Sequence, residues 1–229
     1  MTPSSIAGKE GRERRCVRLG YAWLLPILLI HLIVSGFPEN RPLVLILRPC
    51  VRLTAFVMTL YVSRVHRSSF LAMGLLTLIM AGASIPAQGY PGLFQNLLLA
   101  AWSILLLVAP VTIFRRIRKD FQVEGVDLEV VLGALCAYLW IGAYFAFIYG
   151  AAAIAFNTPF FAQPGVENQV NYLYFSFATL TTVGYGDLTA GYGPGRMFAV
   201  TEAVIGQLYL VSVVAIVVSA FGRGKKPRS

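Results

Sequence analysis

Charged residues are few in this chain, and acidic residues are the scarcest. Only 13% of the 229 residues are charged, and ten aspartates and glutamates stand against 19 lysines and arginines. A water-soluble domain of this size would need far more surface charge. The three cysteines, Cys16, Cys50 and Cys136, are odd in number and widely spaced, which argues against a disulfide framework or a metal site. Because 57% of the residues are hydrophobic, the composition indicates an integral membrane protein.

Long apolar stretches are what the sequence has in place of charge. A membrane-spanning helix needs about 20 predominantly apolar residues. Six candidate stretches are Val17–Phe37, Leu43–Val62, Phe70–Ile85, Leu93–Phe114, Leu128–Ile154 and Met197–Phe221. A shorter helix-like run, residues 170–181, fits a re-entrant element whose backbone is covered by protein or faces a water-filled pore. The sequence therefore predicts an all-α membrane fold of six transmembrane helices, with a re-entrant pore helix and loop between the fifth and sixth.

The basic residues lie at the ends of the apolar stretches, which argues against a nucleic-acid partner. If the N-terminus is cytoplasmic, 15 lysines and arginines fall inside, and only Arg41 and Arg196 fall outside. The inside set is Lys9, Arg12, Arg14, Arg15, Arg18, Arg64, Arg67, Arg115, Arg116, Arg118, Lys119, Arg223, Lys225, Lys226 and Arg228. This bias predicts a multi-pass protein of the cell membrane with both termini in the cytoplasm. Membrane lipid is therefore an expected partner, and no cleavable signal peptide is expected.

The segment Thr181–Asp187, T-T-V-G-Y-G-D, begins at the last residue of the short helical run. Successive carbonyls can face one axis only if the backbone alternates between right- and left-handed conformations. Gly184 and Gly186 adopt positive φ values at little cost, whereas other residues are strained there. We expect the side chains of Val183 and Tyr185 to point away from such an axis and to hold the loop at one diameter.

The pattern Y-F-S-F-A-T-L-T-T-V-G-Y-G-D, residues 174 to 187, resembles the pore helix and selectivity filter of potassium channels. The whole segment Gly133–Gly222 resembles the pore module of small bacterial channels of the ion-transport-2 type, and G-A-L-C-A-Y-L (133–139) and E-A-V-I-G-Q-L-Y-L (202–210) carry the same likeness. The resemblance implies a filter whose backbone carbonyls replace the hydration shell of K⁺. The implied filter residues are Thr182, Val183, Gly184, Tyr185 and Gly186, with K⁺ bound at the first four.

One filter loop supplies a quarter of a ring, so the resemblance implies three identical subunits as partners. The Thr182 hydroxyl is expected to add an oxygen ligand. The permeant K⁺ is the expected ligand, with no other cofactor. A separate regulatory subunit stays an open possibility, and no cytoplasmic ligand-binding domain is expected.

Residues beside the filter are expected to support it. By resemblance, Asp187 hydrogen-bonds an aromatic residue of the pore helix, and Tyr174 is the candidate. Ala178 stands where some relatives carry a glutamate behind the filter, so a carboxylate network there is not expected. Glu202 lies within the last apolar stretch, where an acidic residue is costly unless it is paired or hydrated.

Two readings of Glu202 stay open. It braces the pore helix through Thr179 or Thr181, or it is a neutral, protonated acid. Further along the same stretch, Gly206 is either a hinge or a site of close helix packing. Leu210 and Val214 share the helical face of Gly206 and are candidates for an apolar inner gate.

The predicted organisation has five parts. A basic cytoplasmic N-terminus (1–16) precedes a four-helix membrane domain (17–114), an interfacial linker (115–127), the pore domain (128–222) and a basic cytoplasmic tail (223–229). The fourth apolar stretch holds no lysine or arginine, so it lacks the charges of a voltage sensor. Arg48 and Arg52, in the second stretch, either snorkel to the headgroups or partner carbonyls, or else form a residual sensor or lipid site.

Other functions fit the sequence less well. Gly184–Asp187 also matches the G-x-G-D signature of intramembrane aspartyl proteases, but no second aspartate lies within an apolar stretch, so an enzyme is not expected. A subunit of a potassium-uptake transporter would carry four degraded filter loops. A nonselective cation channel is the nearer alternative, and Tyr185 favours potassium selectivity over it.

Overall fold

The structure, a computed structural model, describes residues 20–37, 42–63, 66, 70–77, 93–124 and 128–223. Seven helices occur in these ranges, with no strand among them. They are α1 (Gly20–Ser35), α2 (Pro42–Val62), α3 (70–77), α4 (Leu93–Glu124), α5 (Leu128–Ala155), α6 (Gln169–Leu180) and α7 (Gly193–Arg223). The predicted all-helical class is thus confirmed for the described residues.

Two of these helices, α5 and α7, are long and apolar enough to cross a membrane over Leu128–Ala155 and Gly193–Val218. Shorter apolar helices cover Gly20–Ser35 and Cys50–Val62. Helix α6, at 12 residues, is too short to span.

The observed helix ends differ from the predicted stretches mainly in α4. This helix does not stop at Phe114 but continues to Glu124. The added turns contain three arginines, one lysine, one glutamine and one glutamate, which are good helix formers, and Gly125 is the first helix-breaking residue that follows. Most of the segment predicted as an interfacial linker is therefore helical. The N-terminus 1–16, the cations Arg64 and Arg67, the end of the third stretch and the tail after 223 lie outside the described residues.

Two hydrophobic clusters hold the helices together. The first joins α1, α2, α4 and α5, where the Trp140 ring meets Phe56 edge-on and its indole N–H donates to the buried Thr59 hydroxyl at 2.9 Å. The second joins α5, α6 and the loops around α6, and it is mostly aromatic, with Tyr149, Phe160 and Phe175 in mutual contact. The buried α5 residues of the first cluster (Cys136, Ala137 and Trp140) precede those of the second (Phe145, Ala146 and Tyr149), so the two clusters follow each other along α5.

Candidate functional site

Helix α6 is positioned by its cap and by two glycines of α5. The Asn168 side chain accepts the backbone N–H of Asn171 at 2.9 Å, which satisfies one of the free donors at the helix start. A Cβ at Gly142 would lie 2.8 Å from the Phe177 ring, and one at Gly150 would lie 3.2 Å from the Tyr172 ring. The absence of side chains at these two positions lets the aromatic face of α6 lie directly against the α5 backbone.

The loop after α6 has the backbone conformation that its glycines predicted. Gly184 and Gly186 have φ values of 54° and 80°. The sequence did not predict that Thr182 also has a positive φ, at 60°. Such a conformation is strained for a β-branched residue and is found where the surroundings enforce it. The loop 181–187 is exposed throughout in the single chain.

Hydrogen bonds to the end of α6 explain how Thr182 is held. The Thr182 N–H donates to the Thr179 carbonyl and the Gly184 N–H to the Ala178 carbonyl, both at 3.0 Å. This resembles the usual left-handed helix terminus, except that threonine occupies the position where glycine is common. The last-turn carbonyls of α6 thus fix the first residues of the loop.

The hydrogen bond expected between Tyr174 and Asp187 is present. The Tyr174 hydroxyl lies 3.1 and 2.9 Å from the two carboxylate oxygens of Asp187. The Tyr174 ring also stacks on Tyr185, with 5.9 Å between centroids and 8° between planes. One α6 side chain therefore contacts both the middle and the end of the loop.

Glu202 is fully buried and has different partners from those expected. Its carboxyl group contacts the hydroxyl groups of Tyr149 and Ser176, not Thr179 or Thr181. The Thr181 hydroxyl instead donates to its own helix, at the Phe177 carbonyl, 2.6 Å away. The expected threonine partners were therefore wrong, because Ser176 occupies the face of α6 that meets α7, and the Thr181 side chain turns back onto α6.

The end of α6 meets both long helices. The Tyr138 hydroxyl donates to the Leu180 carbonyl at 2.9 Å, and a Cβ on Gly206 would come within 2.8 Å of the same oxygen. Tyr138 also stacks on Tyr209, with 5.9 Å between centroids, and the Tyr209 hydroxyl donates to the Ala134 carbonyl at 2.7 Å. These contacts join α5, α6 and α7 just before the loop begins.

The segment before α6 and the segment after the loop are paired with each other. Phe161 and Ala190 form an antiparallel bridge, and the Ala162 N–H donates to the Thr189 carbonyl at 2.8 Å. Glu167 accepts from the Tyr172 hydroxyl and from the Phe161 N–H. Burial first, and then this hydrogen bond, raise the pKa of Tyr172, so its hydroxyl stays a donor.

The remaining site residues lie along α7. Gly206 faces α6, Leu210 is half-buried and Val214 is exposed. The close approach at Gly206 fits the packing interpretation, and its role as a hinge stays a prediction. The inner-gate role of Leu210 and Val214 likewise stays a prediction.

Several residues at this site were missed by sequence reasoning. Gly142 and Tyr149 lie in an apolar helix with no motif that marks them, and Tyr138 and Ser176 lie within the quoted patterns but were given no role there. A glycine within the apolar α5 helix is the one available signal, since it often marks close helix packing. The hydroxyl partners of Glu202 could be found only from the packing of three helices.

Comparison with known proteins identifies the segment that carries this site. Residues 134–223 match the ion channel family of the ion-transport-2 type, which has a two-helix pore domain, over about two fifths of the chain. No curated protein and no solved structure shows significant similarity to the chain. Together with the match to an ion channel family, the two long apolar helices indicate a membrane protein. The matched segment includes most of α5, all of α6 and α7, and the loop between them, so this part of the chain is similar to the ion channel family.

Proposed function

We propose that four copies of this chain form a potassium-selective channel through which K⁺ moves passively down its gradient. In this arrangement α5 and α7 are the fifth and sixth spans, α6 is the re-entrant pore helix, and 182–186 is the selectivity filter. The carbonyl oxygens of Thr182, Val183, Gly184 and Tyr185 bind K⁺ in successive rings, with the Thr182 hydroxyl as a further ligand. The termini lie in the cytoplasm of a six-span protein in the cell membrane.

The observation that carries the proposal is the backbone of the loop. Positive φ values recur at Thr182, Gly184 and Gly186, that is, at every second residue. This alternation turns successive carbonyl groups toward the same side, as an ion path lined by backbone oxygens requires. An ordinary connecting loop has no need of left-handed backbone at three alternate positions, one of them a threonine.

The position of α6 adds an electrostatic argument. The C-terminal end of a helix carries a partial negative charge. Helix α6 ends at Leu180, immediately before the loop, so this end lies at the inner side of the proposed filter. Four such ends around one axis favour a cation over an anion in a central cavity.

The contacts of Tyr174 favour K⁺ selectivity over nonselective conduction. Its hydroxyl holds Asp187 and its ring supports Tyr185, so the outer half of the loop is fixed at two points. In the cavity-size account of selectivity, a filter that is held at one diameter discriminates between K⁺ and Na⁺. The geometry therefore supports selectivity at the residue, Tyr185, that suggested it in the sequence.

The exposed face of α7 supports an assembly of several chains. Large apolar side chains along this helix are exposed in the single chain, among them Val200, Leu208, Val211 and Val214. Lipid covers such residues on one side of a membrane helix, and neighbouring subunits cover those on the other. The loop 181–187 needs neighbours as well, because a single copy offers only one quarter of each carbonyl ring.

Ion flux into liposomes that contain the purified protein tests the proposal. We expect uptake of K⁺ to exceed uptake of Na⁺ by more than about tenfold, and the purified particle to have the mass of four chains. Equal uptake of both ions would favour the nonselective alternative. The absence of any passive flux, or a particle of one chain, would overturn the proposal.

Two matched glycine variants make this test specific. Gly184 and Gly165 both have positive φ values, 54° and 73°, and a Cβ added at either residue would have no atom within 4 Å. Gly184→Ala and Gly165→Ala therefore impose similar backbone strain, but only the first lies in the proposed filter. We expect Gly184→Ala to lose K⁺ selectivity and Gly165→Ala to keep it.

A further inference from the structure

The carboxyl group of Glu202 lies at the junction of three helices. It is fully buried, although most side chains of α7 are exposed in the single chain. Tyr149 of α5 and Ser176 of α6 are its hydrogen-bond partners. No described lysine, arginine or histidine forms an ion pair with it. A buried carboxylate without a cation is costly, so the charge on Glu202 depends on which of its neighbours can donate a hydrogen bond.

The Ser176 hydroxyl has one proton and two neighbours that accept hydrogen bonds. One is the Gly142 carbonyl oxygen of α5, at 2.7 Å, and this oxygen can never donate. The other is the nearer carboxyl oxygen, Oε1, of Glu202. When Ser176 donates to Gly142, the contact between Ser176 and Glu202 needs a proton from Glu202.

The Tyr149 hydroxyl donates a hydrogen bond to the other carboxyl oxygen of Glu202, Oε2. A protonated Glu202 therefore donates from Oε1 to Ser176 and accepts at Oε2 from Tyr149, so that each polar atom of the group has a partner. In a charged carboxylate, by contrast, Ser176 would donate to Glu202 and release Gly142. The neutral form satisfies both contacts of Ser176 and buries no charge.

We propose that Glu202 is a neutral carboxylic acid that donates a hydrogen bond to Ser176. Ser176 in turn donates to the Gly142 carbonyl of α5, and this chain of hydrogen bonds positions the pore helix. The consequence for selectivity rests on the proposed function of the loop. Ser176 lies one turn before the end of α6, and its neighbour Phe177 fills the space over Gly142. The hydrogen bonds from Glu202 to Ser176 and from Ser176 to Gly142 therefore fix α6 just before the loop that would bind K⁺.

Infrared spectroscopy of the purified full-length protein tests the proton directly. With ¹³C-labelled glutamate, we expect a C=O stretching band of a protonated carboxylic acid that shifts in D₂O and disappears in Glu202→Gln. Glu167→Gln is the control, because it removes a glutamate from the outer loop and should leave the band unchanged. If the wild-type protein has no such band, or if the band persists in Glu202→Gln, the proposal is wrong.

A second variant keeps the test valid if Glu202→Gln does not fold. Tyr149→Phe removes the donor to Oε2 and leaves the carboxylic acid in place. We expect the band to remain and to move to higher frequency, because the C=O group loses a hydrogen bond. An unshifted band in Tyr149→Phe would contradict the assigned acid and would not bear on whether the protein conducts K⁺.

The positioning role has its own readout in ion flux. Glutamine can donate from its amide and accept at its carbonyl, so it reproduces both contacts of a neutral acid. We expect Glu202→Gln to keep the ratio of K⁺ to Na⁺ flux within about twofold, and Glu202→Ala and Ser176→Ala to lower it by about tenfold. A tenfold loss in Glu202→Gln would instead indicate a carboxylate. Flux through the wild-type protein tests the proposed function separately from the infrared band.

Discussion

Gly206 lies so close to Leu180 that a Cβ on the glycine would come within 2.8 Å of the Leu180 carbonyl oxygen. One turn earlier on both helices, Glu202 contacts Ser176. Helices α6 and α7 therefore run side by side in the same direction, with a polar contact and a close backbone approach four residues apart. Because backbone atoms cannot move aside as a side chain can, the position of α7 sets the position of the residue that precedes the loop.

Replacing Gly206 with alanine tests whether close packing is its role. We expect Gly206→Ala to lower the free energy of unfolding by about 1–3 kcal/mol, the cost of inserting a methyl group into a filled space. The ratio of K⁺ to Na⁺ flux should fall with it, because α6 has to shift. Thermal unfolding in detergent and flux into liposomes measure the two effects.

Gly193→Ala is the matched control for this prediction. It lies in the same helix, and a Cβ there meets no atom within 4 Å, so stability should stay near that of the wild type. If Gly206→Ala unfolds like the wild type but opens less often in single-channel recordings, the hinge interpretation would replace the packing interpretation.

The sequence was a good guide to some of this site and a poor guide to the rest, for physical reasons. The left-handed conformations at Gly184 and Gly186 followed from residue type, because only glycine adopts them at little cost. The bond from Tyr174 to Asp187 followed from the resemblance to potassium channels. The partners of Glu202 did not follow from either, since they depend on how α5, α6 and α7 pack, and apolar helices leave many packing registers open.

The same contrast holds for the fold. Apolar stretches located α5 and α7 within a few residues, because burial in a membrane requires continuous hydrophobic sequence. The end of α4 was missed because Arg115–Glu124 is polar and also strongly helix-forming, so hydropathy and helix propensity disagree there.

The bond between Trp140 and Thr59 links the first hydrophobic cluster across α2 and α5. Both residues are almost completely buried, and the Thr59 hydroxyl also donates to the Ala55 carbonyl at 2.7 Å. Thr59→Val leaves the indole N–H without a partner, and we expect it to lower the free energy of unfolding by about 1 kcal/mol. Thr59→Ser keeps the hydroxyl and is the control for the bond.

A double-mutant cycle with Trp140→Phe separates this bond from packing. If the bond is the cause, Thr59→Val should cost much less in the Trp140→Phe background than in the wild type. If the losses in free energy of unfolding caused by Thr59→Val and Trp140→Phe were fully additive in thermal unfolding, the packing of Thr59 and not its bond to Trp140 would explain the effect.

The hydroxyl of Tyr174 should matter for selectivity more than its ring. Tyr174→Phe keeps a ring against Tyr185 but removes the bond to Asp187, so we expect the ratio of K⁺ to Na⁺ flux to fall about threefold. Tyr144→Phe is the control, because no described residue hydrogen-bonds the Tyr144 hydroxyl. An unchanged ratio in Tyr174→Phe would indicate that stacking alone holds the loop.

The pH dependence of the same bond has a defined sign. Desolvation first, and then the bond to Asp187, raise the pKa of Tyr174 above its ordinary value of 10.0. The hydroxyl is therefore protonated in the folded and the unfolded chain below pH 10, and its contribution is lost only as the pH rises through the raised pKa. The difference in flux ratio between wild type and Tyr174→Phe should be constant from about pH 6 to pH 9. A difference that disappears within this range would contradict the assigned donor.

Thr182 combines a strained backbone with the hydroxyl that is proposed to bind K⁺, so its variants should separate stability from conduction. Thr182→Gly removes the strain of the positive φ and the hydroxyl together, whereas Thr182→Ala removes the hydroxyl and keeps the strain. We expect the free energy of unfolding of Thr182→Gly to be about 1 kcal/mol higher than that of Thr182→Ala. Both variants should conduct K⁺ less well than the wild type. If the two variants were equally stable, the positive φ at residue 182 would carry no strain that depends on residue type. The hydrogen bonds from the N–H groups of residues 182 and 184 to the Thr179 and Ala178 carbonyls would then determine the backbone conformation.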